Sequence, residues 1–478
     1  MPTMPMTVVN EIGSLVGNSR NAYAAMMKHQ YAPEWDSWVH TDSSTLSNLI
    51  SKKKGTMYGQ MKVTAVSTGL PQSAGMSTFE GYQLTTPTSG TYLNPRMFAR
   101  SLITRLRWTR QLRTAARKGN LAAWSRPMTQ DLEDARLQSG LNWGRKLWTG
   151  YHDVNAVASA YSAVLPTAAT TDGRFTLFGR NTRTSGDTTA EDWYRFGVHY
   201  LRVGMMIGAV NAATGPGGSL TGVNHSLTGN EVRITAVNDA TAASPFIDVA
   251  SQDGATAVTT LLGFTPGSGD MVIPYANRVA APGTGAASDT DFSCMNGIAS
   301  FILGSGYYAS LYGLLKTATT RLSGIVDANG EVQRAWTERL LTFMTHRIRN
   351  EGTGGRPKWA VEHDSVLREI VDENRGDRRF HPVQRESGYD YHLQHTAGDV
   401  MISYIADWLA PPGMVLALDD SVFGYYSEAD MMPEPEVRFV PNFLQEEQIW
   451  FKSGNLECTK PHNNGIVDDL TFSTTALT

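Results

Sequence analysis

Residues 51–118 constrain this chain more than any other stretch, because their pattern describes a structure that cannot stand alone. A strand-like segment, TMYGQMKVTAV, leads into STGLPQSAGMSTFEGYQLTTPTSGTYLNP, a long tip rich in Ser, Thr, Gly and Pro. RMFARSLITRLRWTRQLRTAARK then runs back. An isolated two-stranded ribbon is marginal in water, so this excursion is expected to lie on a neighbour. Its return leg is basic: Arg96, Arg100, Arg105, Arg107, Arg110, Arg113, Arg117, Lys118 and Arg126 fall within 31 residues, with no acid before Asp131. Three readings fit such a run. It can dock on an acidic face of another chain, where the planar guanidinium suits carboxylates. It can contact nucleic-acid phosphates, or it can be a solvated face. The acidic segment EADMMPEPE, with Glu428, Asp430, Glu434 and Glu436, is a candidate partner for docking. Upstream, residues 1–50 show weak periodicity, yet YAPEWDSWVH carries Trp35 and Trp38. Aromatic residues on an irregular arm need a surface to pack against, which can be another chain.

The best-signalled element is a helix over 127–149. Pro127 suits a first helical turn, and Asp131, Glu133 and Asp134 sit near the positive end of the dipole. Leu137, Leu141, Gly144 and Trp148 recur on one helical face, and Gly150 can stop the helix. The composition changes over 165–290. Between 201 and 290 only nine residues are charged, and short strand candidates (HYLRVGMMIGAV, EVRITAV, FIDVA, DMVIPYA) alternate with Gly, Ser, Asn and Thr turns. This pattern predicts a small all-β domain followed by the linker APGTGAASDT. Residues 291–430 mix helices and strands. EVQRAWTERLLTFMTHRIRN reads as amphipathic, with Val332, Trp336, Leu340, Phe343 and Met344 on one face. RPKWAVEH reads as a strand, and DSVLREIVDEN as a helix with Asp364 as N-cap. VMISYIADW is a further strand, and APPGMVLALDDSVFGYY reads as a hairpin around an Asp-Asp turn. EPEVRFVPNF and EQIWFKSG are strand-like, and no solenoid repeat is present.

The bulk numbers bound the class. A chain of 478 residues predicts about three domains. The net charge of −4 gives no global basic field. Two cysteines, Cys294 and Cys458, cannot build a disulfide framework or a cysteine metal site, and they fit synthesis in a reducing cytoplasm. No signal peptide is expected from MPTMPMTVVNEIG, and no run of about 18 apolar residues predicts a membrane span.

Catalytic signals are sparse. The sequence contains no G-x-S-x-G, Walker A or H-E-x-x-H motif. Gly304, Gly306 and Ala309 make a G-x-G-x-x-A in SFILGSGYYASLYGLLKT, with Asp327 about twenty residues on. It reads as a dinucleotide site or as a glycine-permitted turn, and the second reading is preferred. His392 and His395 form H-x-x-H, with His363 and His381 upstream; in loop or strand context these point apart and read as packing or surface histidines. Asp419–Asp420 and Asp468–Asp469 read as turn residues. No catalytic, cofactor-binding or metal-ligating residue is predicted.

In order, the chain shows an irregular arm, a long ribbon, a long helix, a β-rich middle, an α/β unit and a β tail. The helix opens with AAWSRPMTQDLEDARLQSGLNWGRKLWTG, and the tail ends CTKPHNNGIVDDL. This succession resembles the major capsid proteins of tailed bacteriophages, the Hong Kong 97-type fold. The likeness rests on the basic run leading into the Gly-stopped helix, on YLRVGMMIGAVN…NEVRITAVN, on GGRPKWAVEHDSVLREI, and on APPGMVLALDDSVFGYY with the terminal NGIVDDL. The resemblance implies an α+β fold. Its parts would be an N-terminal arm (1–50), an extended loop (51–118), a peripheral domain with a spine helix (119–164), peripheral strands with an inserted β domain (165–290), an axial domain (291–430) and C-terminal peripheral strands (431–478). It implies a non-enzymatic shell subunit, made in the host cytoplasm and located in the virion. Its partners would be copies of itself in hexamers and pentamers, a scaffolding protein, a portal, a decoration protein and packaged double-stranded DNA, with no membrane. Contacts between subunits would fall on Arg96, Arg100, Arg105, Arg107, Arg110, Arg113, Trp35 and Trp38. Lys52, Lys53, Lys54 and Lys62 lie near the extended loop, but no cross-link is predicted from them. The competing expectations are a dinucleotide-dependent enzyme centred on Ser300–Thr317 and a portal.

Overall fold

The computed structural model describes residues 46, 49–50, 54–56, 61–63, 66–69, 91–93, 96–109, 121–150, 155–156, 172–177, 199–212, 220–221, 232–238, 246–251, 254–262, 271–274, 295–304, 310–329, 332–351, 354–373, 383–385, 388–390, 394–397, 399–433, 438–439 and 445–471. The chain is mixed α/β and divides into two compact units.

The first unit gathers Met1–Gln60, Phe98–Gly144 and Tyr425–Asn455. Its sheet runs Lys54–Thr56, Phe423–Pro433, Gln445–Cys458 and Arg438–Phe439, with Arg100–Thr109 also paired to Gln445–Cys458. The antiparallel pairing of these two long strands runs from Thr109 opposite Gln445 to Arg100 opposite Gly454. Trp143 and Tyr425 meet edge to face at 5.0 Å, and the buried Lys452 ammonium lies 5.2 Å and 5.4 Å from their ring centroids. Such cation–π contacts strengthen when water is excluded. Gly454 is required here, because a Cβ would fall 2.3 Å from the Tyr425 hydroxyl.

Helix α1 spans Leu121–Thr149 and is about 44 Å long at the standard rise. It begins six residues before the expected start, so Pro127 lies inside it and no acid occupies its first turn. The good helix formers Leu121, Ala122 and Ala123 carry that extra turn. The buried stripe is Ala135, Ser139, Trp143 and Leu147, with Trp148 beside it; Leu137, expected on the inner face, is 51 % exposed. Gly150 ends the helix as expected, at φ +68°, with its N–H donating to Lys146 O at 2.8 Å.

The second unit gathers Met61–Met97, Arg145–Gly424 and Leu456–Thr478. One part is an antiparallel sheet in the order Asn155–Ala156, Met271–Pro274, Met206–Ala212, Val232–Asn238, Phe246–Ser251 and Asp172–Thr176, with Leu220–Thr221 also on Met206–Ala212. Alternation drives it: Val232 and Ile234 are buried while Arg233 and Thr235 face water, and Ile247 and Val249 repeat the period on the next strand. Helix α2, Val258–Leu262, closes this core with Val258 and Leu262. On the other face Arg174 and Asp248, opposite each other in register, form a bidentate pair at 2.7 Å and 3.0 Å.

Helix α3, Ile298–Ile302, precedes a six-stranded mixed sheet with the order Ile325–Asp327, Gly465–Val467, Val415–Leu418, Trp359–Glu362, Val400–Ala406 and Gln394–Ala397. The first two strands pair in parallel, as do Trp359–Glu362 and Val400–Ala406. Helices α4, Glu338–Glu351, and α5, Asp364–Glu373, pack on it through Leu341, Met344, Ile348, Val366 and Ile370. The expected stripe on α4 is shifted: Val332 and Trp336 precede the helix, and Phe343 is 53 % exposed. Helix α5 starts at Asp364, so the cap is not Asp364 but His363, whose Nδ1 accepts the Ser365 N–H at 3.2 Å.

The expected hairpin over 410–426 is not one. Val415–Leu418 lies inside the six-stranded sheet, whereas Phe423–Pro433 pairs in the other sheet with Lys54–Thr56 and Gln445–Cys458. The Asp-Asp turn is real: Asp419 accepts the Ser421 N–H at 3.0 Å and caps a 3-10 turn, Asp420–Val422. It redirects the chain from one sheet to another. Val415–Leu418, flanked by strands and buried at every position, reads as an unbroken apolar run, and alternation alone could not name its partner.

Candidate assembly surface

The basic ribbon is the surface that the sequence singled out. Its described part is the strand Arg96–Phe98, paired with Met61–Val63, and the long strand Arg100–Thr109. Met97 is buried, whereas Arg96 and Phe98 face water. Phe98 is 38 % and Ile103 53 % exposed, so each of these two strands keeps a large apolar side chain in solvent. Arg96 donates its backbone N–H to Tyr312 O at 3.2 Å, and Arg100 is half-buried opposite Gly454. Arg105 stands opposite Ile449 and Arg107 opposite Glu447. Arg110, Arg113, Trp35 and Trp38 lie outside the described residues. Arg100, Arg105 and Arg107 are thus gathered on one strand, and that strand is already paired with one carrying Glu446 and Glu447. The acids along Gln445–Cys458 are therefore the first carboxylates offered to this run, ahead of the EADMMPEPE segment.

The partner strand also holds what sequence reasoning missed. Gln448, Lys452, Ser453, Asn455 and Glu457 are all buried on it. Asn455 donates Nδ2 to Phe98 O at 2.9 Å, and Glu457 pairs with Lys62. These partners are separated by 357 and 395 residues, so no local pattern announced them.

The residues weighed for catalysis have other roles. The G-x-G-x-x-A reading needs a strand before the glycines and a helix after them. Instead, helix α3 comes before Gly304, and after the motif Ser310–Leu311 and Leu314–Leu315 form a tight hairpin through Tyr312 and Gly313, both at positive φ. Gly306 and Ala309 lie outside the described residues. Asp327 is bound to Arg334 at 2.9 Å. His395 is buried on Gln394–Ala397 and shares a hydrogen bond with Thr342 Oγ1 at 2.9 Å; His392 and His381 lie outside the described residues. Burial lowers the pKa of His363, His395 and His462 below 6.5, and it raises the Cys458 thiol well above its usual range. Among the described residues no three His, Cys, Asp or Glu side chains gather into a metal-binding group, and no helix is long and apolar enough to cross a membrane.

No protein-family model and no curated protein matches the sequence. Solved structures do resemble the chain. One is in the Cyanophage A-1(L) capsid asymmetric unit, at 10 % identity, covering 89 % of this chain and 92 % of that one, with a TM-score of 0.43. Another is in the satellite phage P4 procapsid with its size determination protein, at 9 % identity, covering 98 % and 99 %, with a TM-score of 0.35. A third is in the capsid of cyanophage P-SCSP1u, at 8 % identity, covering 89 % and 87 %, with a TM-score of 0.35.

Proposed function

We propose that this chain is a major capsid protein of a tailed double-stranded DNA bacteriophage, assembling as pentamers and hexamers into an icosahedral shell. The observation that carries the reading is the pair of successive strands Arg96–Phe98 and Arg100–Thr109, which hold Phe98 and Ile103 in water within a run of arginines in the sequence. A surface of that kind is built to be covered, and symmetric assembly lets each copy cover the next. In this reading α1 is the spine helix of a peripheral domain, together with Arg100–Thr109 and Gln445–Cys458. The six-stranded sheet with α4 and α5 is the axial domain, and the antiparallel sheet over 155–274 belongs to the inserted β domain. Residues 1–50 act as an arm on a neighbour. The protein works by burying surface rather than by catalysis. A scaffolding protein, a portal, a decoration protein and the packaged DNA are its expected further partners.

Electron microscopy and light scattering of the expressed protein test the class. Shells, tubes or capsomer rings in the megadalton range are expected. A small oligomer with saturable nicotinamide-dinucleotide binding, lost on Gly306→Val, would replace this reading with an enzymatic one. Within the reading, Arg105→Glu with Arg107→Glu tests the ribbon. The second change sets like charges opposite Glu447, which costs the fold only about 0.2–1 kcal/mol. A folded chain that no longer assembles is expected, and normal particles would remove the docking role.

A further inference from the structure

The six-stranded sheet contains a group that neither packing nor shell-building explains. Glu362 ends the strand Trp359–Glu362 and is 0 % exposed, and neither of its carboxylate oxygens has a hydrogen-bond partner. By strand alternation it shares a face with Ala360, which belongs to the core built with Val366 and Ile370 of α5. An ionised, unpaired carboxylate in such a place is strongly disfavoured, and the group takes up a proton instead.

The surrounding groups make ionisation harder still. On α5 the nearest charge is Asp364, of like sign, and burial followed by that carboxylate pushes Glu362 well above the usual range. His363, which caps α5, has its pKa lowered chiefly by burial, with Asp364 raising it and Arg368 of α5 lowering it. On the parallel neighbour the register partner is Ala406, and the next residue, Asp407, is committed: it accepts from Trp148 Nε1 at 3.3 Å and from the Leu409 N–H at 2.9 Å. On the antiparallel neighbour the partner is Val415, in a strand with no ionisable residue.

We propose that Glu362 is kept as a neutral carboxylic acid beneath α5, and that loss of its proton to solvent as pH rises above the usual carboxylate range opens the α5 edge of this sheet. Closure of the α/β sheet is then conditional on one proton. Opening lets water reach the carboxylate, and reprotonation reseals the edge. Asp364 helps to set the upper end of this pH window, because its negative charge delays ionisation in the closed sheet.

Hydrogen exchange of the full chain between pH 6 and 10, normalised to intrinsic rates, tests this. Protection over 359–373 and 400–407 should fall in the wild type by up to about tenfold per pH unit relative to Glu362→Gln, the limit for one linked proton. The sheet over 155–274 should show no such difference. Asp364→Asn should make the fall in protection level off at a lower pH. An infrared difference spectrum at pH 7, wild type minus Glu362→Gln, should contain the carbonyl stretch of a neutral carboxylic acid. Equal pH slopes in wild type and variant, or an ionised-carboxylate band at pH 7, would overturn the proposal. Should Glu362→Gln fail to fold, Glu362→Leu takes its place under the same criteria.

Discussion

Gly297→Ala should be among the most damaging single-methyl additions in the second unit. Gly297 crosses the end of α1 so closely that a Cβ would lie 2.4 Å from Lys146 O, 2.4 Å from Gly150 N and 2.6 Å from Gly150 Cα. All three are backbone atoms, so no side chain can swing aside, and the chain must retreat by about 1 Å to reach ordinary contact. Retreat is opposed from both sides. Gly150 is fixed at φ +68° by its bond to Lys146, and Gly297 is tied to Ser300, whose hydroxyl donates to Gly297 O at 2.6 Å and accepts the Gly297 N–H at 3.1 Å. Overpacking costs about 1–3 kcal/mol, and the upper end applies where backbone meets backbone. Gly297 is extended at φ −131°, so the penalty is contact rather than strain. Gly304→Ala is the control, because its Cβ would meet nothing within 4 Å. Urea unfolding of the unassembled chain, followed by tryptophan fluorescence, should place Gly297→Ala about 2–3 kcal/mol below wild type and Gly304→Ala within about 0.5 kcal/mol. Equal midpoints for the two variants would refute the close approach.

Two further outcomes follow from the burial pattern. Met344→Ala, in the core under α4, should cost about 2–5 kcal/mol, whereas Phe343→Ala, one position away and exposed, should cost less than about 0.5 kcal/mol, both read from urea midpoints. Two buried histidines and the half-buried His363 predict an acid limb of stability. His363, His395 and His462 have folded pKa values below 6.5, so the unfolded chain takes up protons first as pH falls. Stability should therefore be full above about pH 6.5 and decline below it. Replacing all three with Gln should flatten that limb in a thermal melt series, and an unchanged limb would show that carboxylates dominate it.

Local pattern carried part of the fold. Alternation over Val232–Asn238 and Phe246–Ser251 was legible because one face of each strand is buried and the other is wet. Gly150 was legible as a stop because few other residues accept its left-handed conformation. The faces of α1 and α4 were misjudged for a common reason. Leu137 and Phe343 are large and apolar, and apolar type was taken for burial, yet Ser139 and Thr345 hold the inward positions by bonding back to Ala135 O and Leu341 O. The hairpin over 410–426 failed differently. Two apolar strands with a turn between them satisfy every local rule for pairing, and only strands more distant in sequence decided that they part.

The candidate surface divides the same way. Sequence alone determined that a long run of basic residues stands between 96 and 126 with no acid inside it. Charge runs and strand periods are local properties, and they survive in the unfolded chain. The tertiary structure decided that Arg107 stands opposite Glu447 in register, that Lys452 lies among Trp143 and Tyr425, and that, among the described residues, neither carboxylate oxygen of Glu362 has a hydrogen-bond partner. Each of these depends on segments that are far apart in sequence becoming neighbours. Burial changes the worth of a charge by far more than its neighbours in sequence do, and burial is a property of the folded chain.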